Sequence, residues 1–484
     1  MNVVRDSQRH RRPMSLVSRM YARLTTRDHS VKAWVFGMVW FRDSPSFDLV
    51  RAIVEQRMLR VPRFRSVVTK VDGKYVFEEQ APQELDVSYH LVHVDEPMTE
   101  QRILDEYVGD VYGKFQFDPE KPLWRIVFFS NVEGRSLFLS TINNAIGDDV
   151  SQWELLFSII IDKEKKRGPL MHTGSGLLTD DAEDTVRRRI MRLPAKYTIG
   201  PLTRSTVFVR GVVDACTAIL RPTDSATLAA NKNATTLSRR HRNVAVTESI
   251  DLGKVEDLLL KFPGATVNDI LVANLALMFQ AYLKGLQKNQ QNTKKIALTH
   301  PRVVVNMHKA TTRTFKEGSP HHIGSWAFLR LNLQNGSNLD TVWNVKRSLD
   351  KSRLSPSPKL QYLMGHGLSA VLPEKRTAAL LKTRNSRNAI QVSAVEGPIR
   401  KVKFGGHVID DIQFAQHGQL LHVTIVRFKD KARCSISMNA KLPGDSKSVA
   451  KHWETEFMRL HANAHACKGS VPYPKGAANV LERF

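Results

Sequence analysis

Cysteine is scarce: Cys216, Cys434 and Cys467 are the only three in 484 residues, and no two stand in a CxxC spacing. That excludes a disulfide framework or a thiolate zinc site and points to a reducing compartment. Long apolar runs are missing too. The longest charge-free helical stretch, Ile270–Leu283, is interrupted by Asn274 and Gln280 and falls short of the roughly 18–20 apolar residues of a membrane span. The start, MNVVRDSQRHRRPMSLVSRMYARL, lacks the apolar core of a signal peptide and reads as a basic tail running into an amphipathic helix. There is no GxSxG elbow, Walker A loop, GxGxxG fingerprint or HExxH pair, and no His/Cys cluster has metal-ligand spacing. Serine hydrolase, NTPase, dinucleotide-binding and metalloenzyme chemistries therefore lack their residues, and no metal is expected.

Acidic residues are the scarcer charge, 47 Asp+Glu against 72 Lys+Arg, for a net charge of +25. Such an excess suits an anionic partner: a membrane surface, nucleic acid or a phosphate-bearing ligand. The basic residues are dispersed, with short runs only at Arg187–Arg189 and Arg239–Arg242, and no RNP-like aromatic motif or zinc finger accompanies them. Nucleic acid is accordingly not the expected partner.

What is present is a mixture of short helices and strands in both halves. Residues 46–61 carry Phe47, Val50, Ile53, Val54, Met58 and Leu59 at helical spacing, with Ser46 or Asp48 placed to cap. Val67–Val71 and Tyr75–Phe77 flank an Asp72–Gly73 turn and predict a hairpin. Strands are predicted at Leu123–Ser130 and Ser136–Ile142, joined through Asn131–Arg135. A polar, aperiodic stretch over 166–245 predicts a linker around one amphipathic helix near Ser205–Leu220. Beyond it, the pattern predicts a strand at Val244–Ile250 and helices at Leu252–Lys261 and from Thr266 or Asn268 to Gly285. Further strands follow at Val303–Met307, Trp326–Leu333 and Ala389–Ser393. A hairpin of His422–Phe428 with Arg433–Asn439 and a helix at Ser446–His461 complete the series. Two α/β domains are the expected architecture.

One stretch concentrates polar groups between two apolar elements: TINNAIGDDVSQWELL, residues 141–156. It reads as a strand-to-helix turn in which Asp149 and Gln152 have the spacing of a capping box, for a helix through about Lys165. Val150, Trp153, Phe157, Ile160 and Ile161 would form the buried stripe of that helix. Polar side chains at such a strand end sit at the rim of a core, where ligands commonly bind.

In this region the chain resembles a known family. FDPEKPLWRIVFF, RSLFLSTINNAIGDD, VPRFRS at 61–66, ATVNDILVANL at 265–275 and NAIQVSAVEGP at 388–398 are similar, in order, to segments of the wax ester synthase/diacylglycerol acyltransferases (WS/DGAT). The resemblance implies two chloramphenicol-acetyltransferase-like α/β domains, mixed sheets with flanking helices, joined by a crossing linker. The corresponding boundaries are 1–185, 186–245 and 246–484. It further implies an acyl-CoA-dependent O-acyltransferase that moves a fatty acyl group to diacylglycerol or a long-chain alcohol. Acyl-CoA would be a co-substrate, with no separate cofactor. The implied setting is cytoplasmic, in peripheral contact with an anionic membrane or lipid droplet surface.

The defining HHxxxDG motif of the family falls on residues 143–149. Asn143 and Asn144 replace the two histidines, Asp148 is retained, and Asp149 replaces the glycine. In the family the second histidine is the general base toward the alcohol. An asparagine amide orients a hydroxyl or donates to an oxyanion but carries no proton, so the alternative expectation is a family member that binds acyl-CoA or lipid without efficient turnover. Asp148 is expected to hold the loop through an ion pair with Arg302, His308 or Lys309. His321 and His322 read either as solvated loop residues or, for His322, as a relocated base. Asn268 and Asp269 are expected to cap a helix start, with a second possible role near acyl-CoA. Ser393 aligns with a serine beside the family's channel, although Ala394 replaces the asparagine that usually follows. Trp124 and Trp153 read as core.

Overall fold

The computed structural model describes residues 10–15, 18–19, 21–22, 34–110, 120–147, 149–162, 208–213, 242–289, 302–309, 325–332, 337–357, 390–417, 421–439 and 445–473. It also describes positions 114, 118, 216, 360, 363, 364, 367, 372, 373 and 376, and for 302–309 and 325–332 it describes the backbone alone. Mixed α/β architecture is confirmed, with two large sheets and two hydrophobic cores.

The first sheet is built from β1 (Trp34–Phe41), β4 (Leu91–Val94), β5 (Trp124–Val132), β6 (Arg135–Asn143) and β11 (His407–Gln416). Their order is β11–β1–β6–β5–β4, with the two-residue strand Lys403–Phe404 at the β11 edge. Only β4 and β5 run parallel. A separate hairpin of β2 (Ser66–Val71) and β3 (Lys74–Glu79) turns at Asp72 and Gly73, both at positive φ (48° and 78°). That is the turn whose twist matches the strands it joins. The β5–β6 connection uses the same device at Glu133 and Gly134, with φ of 53° and 80°.

The second sheet has the order β9–β8–β10–β12–β13–β7. Its strands are β7 (Arg242–Val246), β8 (Arg302–Lys309), β9 (Ser325–Asn332), β10 (Ile390–Glu396), β12 (Leu421–Phe428) and β13 (Lys431–Asn439). β8, β10 and β12 are mutually parallel neighbours, and the remaining pairs are antiparallel. One face of this sheet is covered by α3 (Leu252–Lys261), α4 (Val267–Asn289), α5 (Asn338–Leu354) and α6 (His452–Ala466).

Several expectations need correction at their ends. The helix expected over 46–61 is α1, Phe47–Ile53, capped by Ser46 Oγ, which accepts from the Leu49 N–H at 3.2 Å. It then widens into a π-helical turn that ends at Met58, and Pro62 opens a separate 3₁₀ turn over Pro62–Arg65, where proline fits the first helical position. The helix after the Asn143–Asn144 turn, α2, covers Asp149–Ile160 and stops short of Lys165. Several elements carry no assignment from pattern, β1, β4, β11 and α5 among them. β1 is buried at every position, so it has no alternation to read. β11 carries Asp410 and Asp411 at an irregularity in its register. α5 is strongly charged, with buried residues on only part of its surface.

β11 decides the architecture around the site. It comes from the C-terminal half of the chain yet pairs with β1 in the first sheet, from Ile409↔Phe41 to Gln416↔Val35. The chain then passes directly into β12 of the second sheet. The two sheets are therefore stitched together by consecutive strands.

Candidate functional site

The Asn143–Asn144 turn sits where β6 ends. Asn143 lies opposite Trp34 of β1, and its N–H donates to Leu123 O at 3.0 Å. Its side chain is engaged in the turn itself: Asn143 Oδ1 accepts the Ala145 N–H at 2.9 Å, and Asn143 O accepts the Ile146 N–H at 2.9 Å. This local competition with ladder hydrogen bonds is why an asparagine ends a strand well. Gln152 on α2 holds the turn from below, its Nε2 donating to Asn143 O at 3.0 Å and to Gly147 O at 2.8 Å. The capping box expected from Asp149 and Gln152 is thus corrected. A box needs Gln152 Oε1 to accept a backbone N–H, and that oxygen has no partner among the described residues.

Asn144 differs from its neighbour. It is buried, and its Oδ1 has no hydrogen-bond partner among the described residues. Buried amide oxygens are nearly always satisfied, so an unsatisfied one marks a place where a further polar group belongs.

Pairing registers show what this end of the sheet faces. Directly opposed residues share a face, so Asn143, Trp34 and His417 form a row, His417 donating its N–H to Trp34 O at 2.8 Å. The His417 ring lies 4.7 Å from that of Phe36, the next residue on the same face. Asp411, also on this face, is ion-paired with Arg433 of β13 at 2.7 Å. The face therefore looks toward the second sheet. On that sheet, Val423 and Ile425 enter the helix-covered core while Val426 and Phe428 join the first core, which fixes the orientation of their neighbours. Gln391, His422 and Ser437 form one row toward the first sheet, and Ser393, Thr424 and Ser435 form the next.

All six are buried, although all six are polar. Ser435 Oγ donates to Phe414 O across the gap, and His422 Nδ1 lies 3.4 Å from Gln391 Oε1. Thr141 Oγ1, Thr424 Oγ1 and Ser437 Oγ have no hydrogen-bond partner among the described residues. Further along, the layer becomes apolar through Val395, Val426 and Phe428. The layer between the two sheets is thus apolar at one end and polar at the other, with several buried hydroxyls that have no partner among the described residues.

Beneath the turn, Trp124 opens β5 with its indole N–H donating to Phe64 O at 2.8 Å and His90 stacked on it at 4.4 Å. Trp124 is core, as expected. Burial pushes the His90 imidazole down to about 4, so it stays neutral, with Nδ1 2.9 Å from Trp124 O.

Of the residues singled out from sequence, Asn143, Asn144 and Ser393 lie in or beside this layer. Asn268 and Asp269 open α4. Asp269 Oδ2 accepts the Thr266 N–H at 2.8 Å, Thr266 Oγ1 accepts the Asp269 N–H at 3.2 Å, and Asp269 pairs with buried Arg353 at 3.0 Å. This reciprocal cap is the device expected at that helix start, carried by Thr266 with Asp269. Asp148, His321 and His322 lie outside the described residues, as do the side chains of Trp153, Arg302, His308 and Lys309. His417, His422, Gln391 and Thr424 are residues that sequence reasoning missed. The available signal was HGQLLHVT, in which two histidines flank a short stretch between two strand-like runs.

Comparison with known proteins places this geometry. Residues 324–461 match the family described as WS/DGAT C-terminal domain. Among solved structures, the chain is similar to the wax ester synthase/diacylglycerol acyltransferase from Marinobacter aquaeolei VT8. The TM-score is 0.59 at 15% identity, over 94% of this chain and 100% of that one. It is also similar to the first condensation domain of the CDA synthetase, with TM-score 0.57 and 12% identity over 96% and 98% of the two chains. A variant of the starter condensation domain of rhizomide synthetase, solved with C8-CoA and Leu-SNAC, gives TM-score 0.55 and 10% identity over 95% of each chain. Residues 324–461 thus match the WS/DGAT C-terminal domain family model, and the chain shares the two-domain chloramphenicol-acetyltransferase-like fold of its structural neighbours.

Proposed function

We propose that the polar layer between the two sheets binds an acyl-CoA and an alcohol and supports acyl transfer from the thioester to the hydroxyl, giving a triacylglycerol or wax ester. The observation that carries this reading is the set of buried polar atoms without partners among the described residues: Asn144 Oδ1 and Thr141 Oγ1 at the end of β6, and Thr424 Oγ1 and Ser437 Oγ on the second sheet. In the reaction the alcohol oxygen attacks the thioester carbonyl, the C–O bond forms, the C–S bond breaks, and the CoA sulfur leaves with the hydroxyl proton. Asn144 Oδ1 is suited to accept the alcohol hydroxyl and orient it for attack on the thioester carbonyl. Ser393 lines the path of acyl-CoA, and the apolar end at Val395, Val426 and Phe428 receives hydrocarbon. Asp148 retains its loop-holding role, and His322 is the candidate proton acceptor. Acyl-CoA is a co-substrate and no other cofactor enters.

A second reading is favoured by one specific observation. Neither Asn143 nor Asn144 accepts a proton near neutral pH, and loss of a general base typically costs about 10²–10⁴ in rate. On that reading the chain holds acyl-CoA or lipid with little turnover. The two are separated by an acyltransferase assay with a fatty acyl-CoA plus diacylglycerol or a long-chain alcohol, on the native chain and on His322→Ala. Turnover abolished by His322→Ala supports the enzyme with a relocated base. Acyl-CoA binding without turnover supports the binder. Absence of acyl-CoA binding overturns both.

Peripheral contact with an anionic membrane or droplet, from the cytoplasmic side, belongs to the same proposal. It is supported by the net charge of +25 and by residues 208–213, which are helical and expose Phe208, Val209 and Val213. Gly211 of this turn is so close to Pro356 that a Cβ there would lie 2.5 Å from the proline ring, so the turn is seated on the second domain. Among the described residues, no helix is long and apolar enough to cross a membrane.

A further inference from the structure

On the side of the second domain away from the inter-sheet layer, α6 lies against α3, and three metal-ligating side chains converge between them. Against the expectation that no histidine cluster has metal-ligand spacing, His461 and His465 stand four residues apart on α6, which puts both imidazoles on one face of the helix; their ring centroids are 4.3 Å apart. Asp257 projects from α3 with Oδ2 3.7 Å from His461 Nε2. One ligand atom from each of the three lies within 4.8 Å of the others. Bonds of about 2.0–2.2 Å from nitrogen and carboxylate oxygen to one ion require only small side-chain rotations from this arrangement. His461 Nε2 is buried without a hydrogen-bond partner among the described residues.

We infer that Asp257, His461 and His465 form a site for a borderline divalent cation, zinc, cobalt or nickel, that clips α6 to α3. Two imidazoles and one carboxylate match these ions by ligand softness, while magnesium and calcium prefer all-oxygen sets. Three protein ligands leave the remaining positions to water. The electrostatics fit. The Asp257 carboxylate supplies the negative charge that offsets nearby Lys254. The clip acts on packing: α6 covers the second sheet beside α4, with Asn274 Nδ2 of α4 donating to Trp453 O of α6 at 3.0 Å. Metal occupancy therefore tunes the stability of the helical layer and leaves the inter-sheet chemistry untouched.

The test uses the full-length chain after treatment with chelator. Zinc and cobalt are titrated calorimetrically and by cobalt absorption, and thermal unfolding is followed with and without zinc. Expected are a single zinc site, at least tenfold weaker in His465→Ala and His461→Ala, and a zinc-dependent rise in Tm that both variants lose. Magnesium should cause no rise. His465 is exposed, so its replacement should leave the fold intact, and His452→Ala on the same helix controls for the other histidines among the 17 in the chain. Equal zinc affinity in the native chain and His465→Ala, an equal loss in His452→Ala, or no zinc effect on native Tm overturns the inference.

Discussion

Gln152 Nε2 is shared between the carbonyls of Asn143 and Gly147, at 3.0 and 2.8 Å, so one buried amide on α2 fixes both ends of the turn that ends β6. Asn143 O keeps a second donor, the Ile146 N–H, but Gly147 O depends on Gln152 for the bond described. Gln152→Leu is expected to lower stability by about 1–3 kcal/mol, the cost of leaving a buried acceptor unmade. Urea unfolding measures this. A variant as stable as the native chain would show that the turn is held by other contacts.

The two asparagines should answer differently to histidine. Asn144 has an amide oxygen without a partner among the described residues, whereas Asn143 Oδ1 is committed to the Ala145 N–H. Asn144→His should raise the single-turnover rate with acyl-CoA and alcohol, by up to about 10²–10⁴ if proton transfer limits it. Asn143→His should give no gain and should lose stability, because the turn loses its side-chain acceptor. Equal gains from both would place the reacting groups elsewhere on the turn.

Stability should depend on pH through His90. Its folded-state value is pushed down to about 4 from 6.5 by burial, so the unfolded chain binds the proton first as pH falls. The stabilisation is full above about 6.5, is lost progressively between 6.5 and 4, and changes no further below that. A shift of this size corresponds to about 3 kcal/mol. Urea midpoints measured across this range should fall less steeply in His90→Phe, which keeps a ring against Trp124 and cannot titrate. Parallel slopes would sink the assignment.

Asp269 distinguishes support from ligand contact. It caps α4 through Thr266 and pairs with Arg353, which also bonds Asp350 Oδ1 at 2.9 Å. Asp269→Ala should cost about 3 kcal/mol, the lower end for breaking a buried pair, because Arg353 keeps Asp350. If the residue is purely structural, acyl-CoA affinity per folded molecule is unchanged. A selective loss of affinity at constant stability would assign it to the acyl-CoA path.

Much of the scaffold is legible in the sequence because its signals are local. Asp72–Gly73 and Glu133–Gly134 set their hairpins through backbone conformations that few other residues adopt. Ser46 and Thr266 mark helix starts by the hydrogen bonds their hydroxyls accept. Periodicity finds β12, β13 and α3 within a few residues. It passes over β1 because a strand buried on both faces has no alternation. It passes over β11 because two aspartates interrupt it, one of them neutralised only by Arg433 on another strand.

The order of residues alone determined that this chain builds two α/β domains and that a polar turn carrying Asn143 and Asn144 closes a buried strand, since both follow from short-range patterning and turn chemistry. Only the tertiary structure decided what that turn confronts. His422, Gln391, Thr424 and Ser437 face the first sheet because β11 crosses into that sheet and β12 returns to the second, and pairing between distant strands is set by which faces bury together. The same holds for Asp257 with His461 and His465: four-residue spacing aligns the histidines, but helix packing brings the carboxylate.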